Sequence, residues 1–134
     1  MFAHFNWVAL LVATVIGFII GAVWYSPLLF GKRWQRELGF TDEYLKQANM
    51  GAIIGRGILF TVLMVLGTAL LLAPYENPDW HLGLHTGLVA GFLIAAMAVA
   101  NNYNYQRRSF TLWLIDAGYT TVLIVTAALL LTAW

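Results

Sequence analysis

Four long apolar stretches alternate with shorter polar stretches along the chain, and this pattern predicts four membrane-spanning helices. A helix needs about 20 residues to cross a hydrocarbon core about 30 Å thick, and each stretch is close to that length. The predicted spans cover about residues 5–24, 52–73, 81–100 and 110–134. We therefore expect an all-α integral membrane protein, a single four-span domain over residues 1–134, whose first stretch is a retained span rather than a signal peptide.

The connection after the first span predicts a short interfacial helix. Ser26 and Pro27 can end one helix and start the next, as N-cap and first helical residue. Apolar residues then recur at four-residue spacing from Phe30, with basic residues between them. This pattern predicts an amphipathic helix over about residues 27–38 that lies on an anionic membrane surface.

The remainder of that connection contains recognisable helix ends. Gly39 is suited to a left-handed C-cap, and Thr41 is a good N-cap for a further helix. We expect this further helix to continue without a break into the second span, which Pro74 ends.

Charge is scarce and unevenly distributed. The chain is 61% hydrophobic and 10% charged, whereas ordinary soluble domains carry about 25% charged residues. Six Lys and Arg residues lie in the first and third connections, and none lies in the second connection or at the termini. By the positive-inside rule the first and third connections are cytoplasmic and both termini face outside.

Several kinds of chemistry are excluded or disfavoured. With no cysteine in the sequence, disulfides, thiolate zinc sites, cysteine-ligated iron–sulfur clusters and cysteine nucleophiles are excluded. The sequence has no phosphate-binding loop, nucleophile elbow or basic stripe for nucleic acid. We therefore expect a protein that is not an enzyme, has no cofactor and does not bind nucleic acid.

A carboxylate inside the fourth span is the most informative single residue. Asp116 and Arg56 each lie 18 residues before the outer end of their span, or about 27 Å, so they share a depth near the cytoplasmic boundary. We predict that they pair within a polar site. Other residues at this level are Tyr25, Asn101, Asn102 and Tyr119. The pair could be a proton-linked or ion-binding site, or a structural ion pair that fixes helix register.

A second polar cluster is predicted near the outer side. His81 and His85 lie four residues apart on one helix face, at the level of His4 and Asn6. Two histidines at this spacing can share a metal ion, but the HExxH pattern is absent, so polar packing at helix ends is the favoured interpretation. We expect no metal site.

Small residues at four-residue spacing predict close helix packing. They lie in the first and third spans: Gly17, Gly21, Gly83, Gly87, Gly91 and Ala95. The histidines of the third span lie on the face opposite its glycines. These small residues leave enough packing surface for a homodimer or a larger assembly, which a chain of this size would need to enclose a solute path.

Two stretches resemble a known family. They are Gly21-Ala-Val-Trp-Tyr-Ser-Pro-Leu-Leu-Phe-Gly-Lys-Arg-Trp34 and Leu-Trp-Leu-Ile-Asp-Ala-Gly-Tyr119. Together with Asn6 they resemble the small membrane proteins catalogued as domain of unknown function 1761. The resemblance implies four helices and a bacterial inner membrane, but no activity. It directs attention to Asn6, Trp24, Tyr25, Ser26, Pro27, Phe30, Gly31, Trp34, Asp116 and Tyr119, and the histidines are not part of it.

Two functional classes follow. The first is an oligomeric transporter or channel-like protein for a small solute or ion, with Asp116 as coupling group and Arg56 as counter-charge. The second is a non-transporting accessory, scaffold or lipid-interacting subunit. A water-filled cavity that reaches Asp116 would favour the first class, and a sealed, fully paired Asp116 would favour the second.

Overall fold

The computed structural model describes residues 6–134, which form helices joined by short connections. Four of these helices are long and apolar enough to cross a membrane, which confirms the predicted all-α, four-span class. The elements are α1 (Trp7–Trp24), α2 (Gly31–Leu38), α3 (Asp42–Lys46), α4 (Met50–Leu72), α5 (Trp80–Leu88), a π-helical segment (Val89–Ala96), α6 (Met97–Tyr105) and α7 (Phe110–Ala133). The third span consists of α5, the π-helical segment and α6.

Helix α7 is the centre of the bundle and packs against α1, α4 and each part of the third span. Leu112 and Leu123 of α7 are almost completely buried. Part of the core is a cluster of small and medium apolar side chains from three helices: Leu10, Ala13, Val65, Ala69 and Ala127. Many other large apolar side chains are exposed, as expected for helices whose outer faces contact lipid tails.

The glycines of the third span pack within the chain. A Cβ on Gly87 would lie 2.7 Å from the Cα of Val125, and one on Gly91 would lie 3.2 Å from the Cα of Thr121. A Cβ on Gly83 would lie closer still to the side chain of Thr132, which also belongs to α7. Because α7 covers this face, the glycines do not offer a free surface to a second copy, and they no longer argue for a homodimer.

The π-helical segment changes which small residue is buried. A π-helix bonds residues five apart rather than four, so the residue below Gly91 on the buried face is Ala96. Ala96 is completely buried, whereas the predicted member of the stripe, Ala95, is only partly buried. The carbonyl of Ala96 accepts a hydrogen bond of 2.9 Å from the indole of Trp113.

Two predicted helix ends in the first connection are confirmed. Gly39 follows α2 with a φ of 72°, the left-handed conformation that glycine adopts without strain. The hydroxyl of Thr41 accepts a hydrogen bond of 3.1 Å from the backbone of Tyr44 and so caps α3.

The predicted start of the interfacial helix was wrong. Helix α2 begins at Gly31 rather than Pro27, and the intervening residues form turns. The hydroxyl of Ser26 donates to the carbonyl of Val23 instead of capping α2. The amide of Phe30 donates to the carbonyl of Trp24 at 3.0 Å, and this hydrogen bond closes the turn between α1 and α2.

The predicted continuity between the next helix and the second span was also wrong. Helix α3 ends at Lys46, and α4 begins at Met50. The side chain of Asn49 accepts a hydrogen bond of 3.2 Å from the backbone of Ala52. This N-cap gives α4 an independent start, so α3 lies outside the span.

Candidate functional site

The two stretches that carry the family resemblance meet in space. The indole of Trp24 donates to the carbonyl of Ile115 at 2.8 Å, and the hydroxyl of Tyr25 donates to Asp116 Oδ1 at 2.6 Å. Gly118 gives room for the ring of Trp24, since a Cβ there would lie 3.1 Å from it. The end of α1 is thereby joined to the first turns of α7.

Asp116 is held by two tyrosine hydroxyls. Its Oδ1 accepts from Tyr25, and its Oδ2 accepts from Tyr103. Tyr103 belongs to α6, which continues to Tyr105 rather than ending near residue 100 as predicted. Sequence reasoning missed Tyr103 because the third span was predicted to end near residue 100, which left Tyr103 outside it. The available signal was the repetition of tyrosine within residues 101–106.

The predicted pair between Asp116 and Arg56 is not present. Arg56 is exposed on α4, and the ion pairs within residues 6–134 join other side chains. The two residues share a depth, but depth does not define the direction in which a helix face points. The outward position of Arg56 is tolerable because a long arginine near a helix end can extend toward the membrane surface.

The other residues predicted for this site divide into two groups. Tyr119 lies beside Tyr25, with ring centroids 5.5 Å apart, and its hydroxyl donates to the carbonyl of Gly17 at 3.3 Å. Gly21 gives room for the Tyr119 ring. Asn101 and Asn102 are exposed and do not contribute to the site.

A cavity of about 410 Å³ lies beside the carboxylate of Asp116. One wall comes from the ends of the transmembrane helices and the other from α2 and α3. Its lining residues are Tyr25, Pro27, Gly31, Lys32, Trp34, Gln35, Leu45 and Asp116. We call this cavity the Asp116 pocket.

The family motif shapes the wall of the Asp116 pocket. The ring of Trp34 meets that of Tyr25 edge to face, with centroids 5.8 Å apart. Phe30 packs on Trp24 at 4.9 Å. Gly31 lies against the backbone of Tyr25 and Ser26, where a Cβ would clash. The motif therefore specifies a tight turn that folds α2 back over the end of α1.

A carboxylate on α2 joins that helix to the start of α7. Glu37 Oε2 accepts a hydrogen bond of 2.6 Å from the hydroxyl of Ser109, the N-cap of α7. Glu37 Oε1 accepts from Arg33 at 2.9 Å. Both bonds lower the pKa of Glu37, and the bond from Ser109 has the larger effect. The interaction holds α2 in place as a wall of the Asp116 pocket.

The residues of the predicted outer polar cluster do not form one site. Asn6 caps α1 by accepting a hydrogen bond from Ala9 at 3.1 Å. His81 stacks on Trp80 and lies 3.3 Å from Asp79, whereas His85 is exposed and Gly87 on the opposite face is buried. His4 lies outside the described residues. Within residues 6–134 no three side chains of metal-binding type come together.

A second cavity of about 510 Å³ lies at the N-terminal end of α1 and the C-terminal ends of α4 and α7. Asn6, Glu76 and Trp134 are among its lining residues. The apolar cluster around Val65 lies between the two cavities.

The fold and the site define a class: a four-span helical protein with a largely apolar pocket, lined by the carboxylate of Asp116, at one end of the bundle. A family model described as protein of unknown function (DUF1761) matches residues 8–132. The chain belongs to this family. No curated protein and no solved structure matches it.

Proposed function

We propose that this protein lies in the bacterial inner membrane and binds a small organic cation in the Asp116 pocket, without carrying the cation across the membrane. The observation that carries this proposal is a carboxylate in the wall of a cavity whose neighbouring walls are aromatic. The proposal falls in the second of the two functional classes, the lipid-interacting or accessory membrane proteins. It concerns binding rather than catalysis.

The chemistry of the Asp116 pocket suits an ammonium group. Each oxygen of Asp116 accepts one tyrosine hydroxyl, and a carboxylate oxygen has further acceptor capacity for a ligand N–H. The rings of Tyr25 and Trp34 flank the same space, and aromatic faces attract cations within about 6 Å. The carboxylate would supply the opposite charge and the rings a favourable, partly desolvated surface.

The cavity beside Asp116 by itself would favour the transport class, but the bundle interior beyond it is packed and favours binding without transport. On the far side of Tyr119 the side chains of α1, α4 and α7 pack into an apolar core around Val65 and Leu123. The threonines buried there, such as Thr61 and Thr68, donate their hydroxyls to carbonyls of their own helix. A single chain in this conformation thus offers a cation a site at one end of the bundle and an apolar seal beyond it.

The basic residues give the proposed orientation. The Asp116 pocket lies at the end of the bundle where the first and third connections carry six Lys and Arg residues. By the positive-inside rule this end faces the cytoplasm and both termini face outside. A homodimer stays a prediction, and its interface would have to avoid the glycine face that α7 covers.

Ethanolamine binding tests the proposal. The full chain in detergent is titrated with ethanolamine and, as a neutral control, with ethylene glycol, by calorimetry. We expect ethanolamine alone to bind. Asp116→Asn should weaken this binding at least about tenfold because it removes the charged partner, whereas the exposed control Glu43→Gln should not. Equal affinities for wild type and Asp116→Asn would overturn the proposal.

Ethanolamine uptake into liposomes that contain the protein tests the transport class. We expect uptake at the rate of protein-free liposomes. Uptake above that rate in wild type that is lost in Asp116→Asn would show that the protein transports the cation.

A further inference from the structure

We propose that the ligand of the Asp116 pocket is the zwitterionic headgroup of a membrane phospholipid, one that carries a primary ammonium and a phosphate. This inference rests on the proposed function and identifies the molecule of which the bound ammonium group is a part. Four observations support it: the two charges in the pocket wall, the amide oxygen of Gln35, the apolar residues at the rim of the pocket and the size of the pocket.

The Asp116 pocket contains one acidic and one basic side chain that are not paired with each other. Asp116 is bonded to tyrosine hydroxyls, and Lys32 lines the same cavity with an exposed side chain. Within the part of the chain that the structure describes, neither takes part in an ion pair. A free amine would meet unfavourable charge at Lys32. A zwitterion satisfies both residues, with its ammonium at Asp116 and its phosphate at Lys32.

Gln35 adds directional hydrogen bonding to the same wall. Its amide NH₂ donates to Asp42 at 2.8 Å, which fixes the side chain and leaves its amide oxygen as an acceptor. An ammonium has three N–H donors, so a carboxylate and an amide oxygen together suit a primary amine better than a trimethylated one.

The rim of the Asp116 pocket is apolar and exposed. Leu28, immediately after the lining residue Pro27, is 91% exposed, and Leu29 and Phe30 are also exposed. Exposed apolar residues beside basic ones are typical of segments that lie at the boundary between headgroups and acyl chains. A molecule whose headgroup enters the pocket from this boundary would leave its acyl chains against these apolar residues.

The size of the Asp116 pocket agrees with a headgroup. Its volume of about 410 Å³ is near the lower end of the range of about 300–1,000 Å³ for small-molecule sites. A lysine at this position is long enough to reach toward phosphates at the membrane surface.

The experiment is lipid retention by the full chain, measured by native mass spectrometry after titration with defined lipids. The lipids are phosphatidylethanolamine, phosphatidylcholine with its trimethylated amine, and phosphatidylglycerol with no amine. We expect retention to fall in that order. Lys32→Gln should reduce phosphatidylethanolamine retention about tenfold, because it removes the phosphate partner, and should strengthen the binding of soluble ethanolamine, because it removes a like charge from the pocket wall.

Arg36→Gln is the matched control. It removes the same charge from the same helix, but Arg36 does not line the Asp116 pocket, so phosphatidylethanolamine retention should stay at the wild-type level. If Asp116→Asn does not fold, Trp34→Leu replaces it, since it removes an aromatic wall supplied by α2. Trp34→Leu should weaken both ethanolamine and phosphatidylethanolamine binding.

The outcomes separate this inference from the function it rests on. If ethanolamine binds through Asp116 but phosphatidylethanolamine is retained no better than phosphatidylglycerol, the lipid inference fails and the cation-binding function stands. The same holds if Lys32→Gln and Arg36→Gln behave alike. If neither ethanolamine nor phosphatidylethanolamine binds, both proposals fail.

Discussion

Asp116 shows how a carboxylate is accommodated at the end of a membrane-spanning helix. Two neutral hydroxyls, from Tyr25 and Tyr103, donate to it in place of the expected guanidinium. Hydrogen bonds to a charged acceptor are stronger than neutral ones, and phenols keep apolar rings against the surrounding helices. No arginine is paired with the Asp116 carboxylate among the described residues, so its oxygens can still accept hydrogen bonds from a ligand.

A first prediction tests the hydroxyl from α6. Tyr103→Phe keeps the ring but removes one of the two donors to Asp116. We expect the free energy of unfolding in mixed micelles to fall by about 0.5–2 kcal/mol. Tyr105→Phe is the control, because Tyr105 is 80% exposed. An equal effect of the two substitutions would contradict the role given to Tyr103.

At the scale of elements, the third span depends on close contact with α7. Gly87 lies against backbone atoms of Val125, which cannot move aside as the end of a flexible side chain could. The two helices therefore approach closely only because this position has no side chain.

A second prediction compares two glycines. Gly87→Ala forces α5 away from α7, so we expect thermal denaturation to show a loss of about 1–3 kcal/mol. Gly67→Ala is the control, since no atom lies within 4 Å of a Cβ there, and it should be neutral or stabilising by up to about 1 kcal/mol. A neutral Gly87→Ala would mean that the helices are not in close contact there.

A third prediction concerns the attachment of α2. The folded protein holds the pKa of Glu37 below the ordinary glutamate value of about 4.3, so ionised Glu37 stabilises the fold above that value. This stabilisation is lost as the pH falls through the lowered pKa. Melting temperatures recorded between about pH 6 and pH 3 should therefore decline less in Glu37→Gln than in wild type.

The exposed Glu43→Gln is the control for this pH series. It should decline as wild type does, because Glu43 does not join α2 to α7. Parallel curves of melting temperature against pH for wild type and Glu37→Gln would show that the bond between Glu37 and Ser109 does not stabilise the fold.

At the scale of the whole molecule, the charge asymmetry leads to a fourth prediction, about orientation. The sequence has no cysteine, so single cysteines report accessibility without background. Glu76→Cys, in the second connection, should react with a membrane-impermeant maleimide in intact spheroplasts. Glu43→Cys, in the first connection, should react only after permeabilisation. The reverse pattern would invert the proposed topology and place the Asp116 pocket on the outer side.

The sequence alone determined the number of spans, the all-α class, and the caps at Gly39 and Thr41. These features depend on local composition and on hydrogen bonds between near neighbours, which the order of residues records directly. It also singled out Asp116, Tyr25 and Trp34, because a charge or an aromatic motif at the membrane boundary is informative in any fold.

Only the tertiary structure decided which residues meet. The partner of Asp116 depended on the rotation of α4, which turns Arg56 outward, and on the extension of α6, which brings Tyr103 inward. The π-helical segment shifted the buried face from Ala95 to Ala96. The rotation and register of each helix depend on its packing against several other helices. They therefore cannot be predicted from the depth and periodicity of residues within one segment. The Asp116 pocket exists for the same reason, since its walls come from segments far apart in the chain.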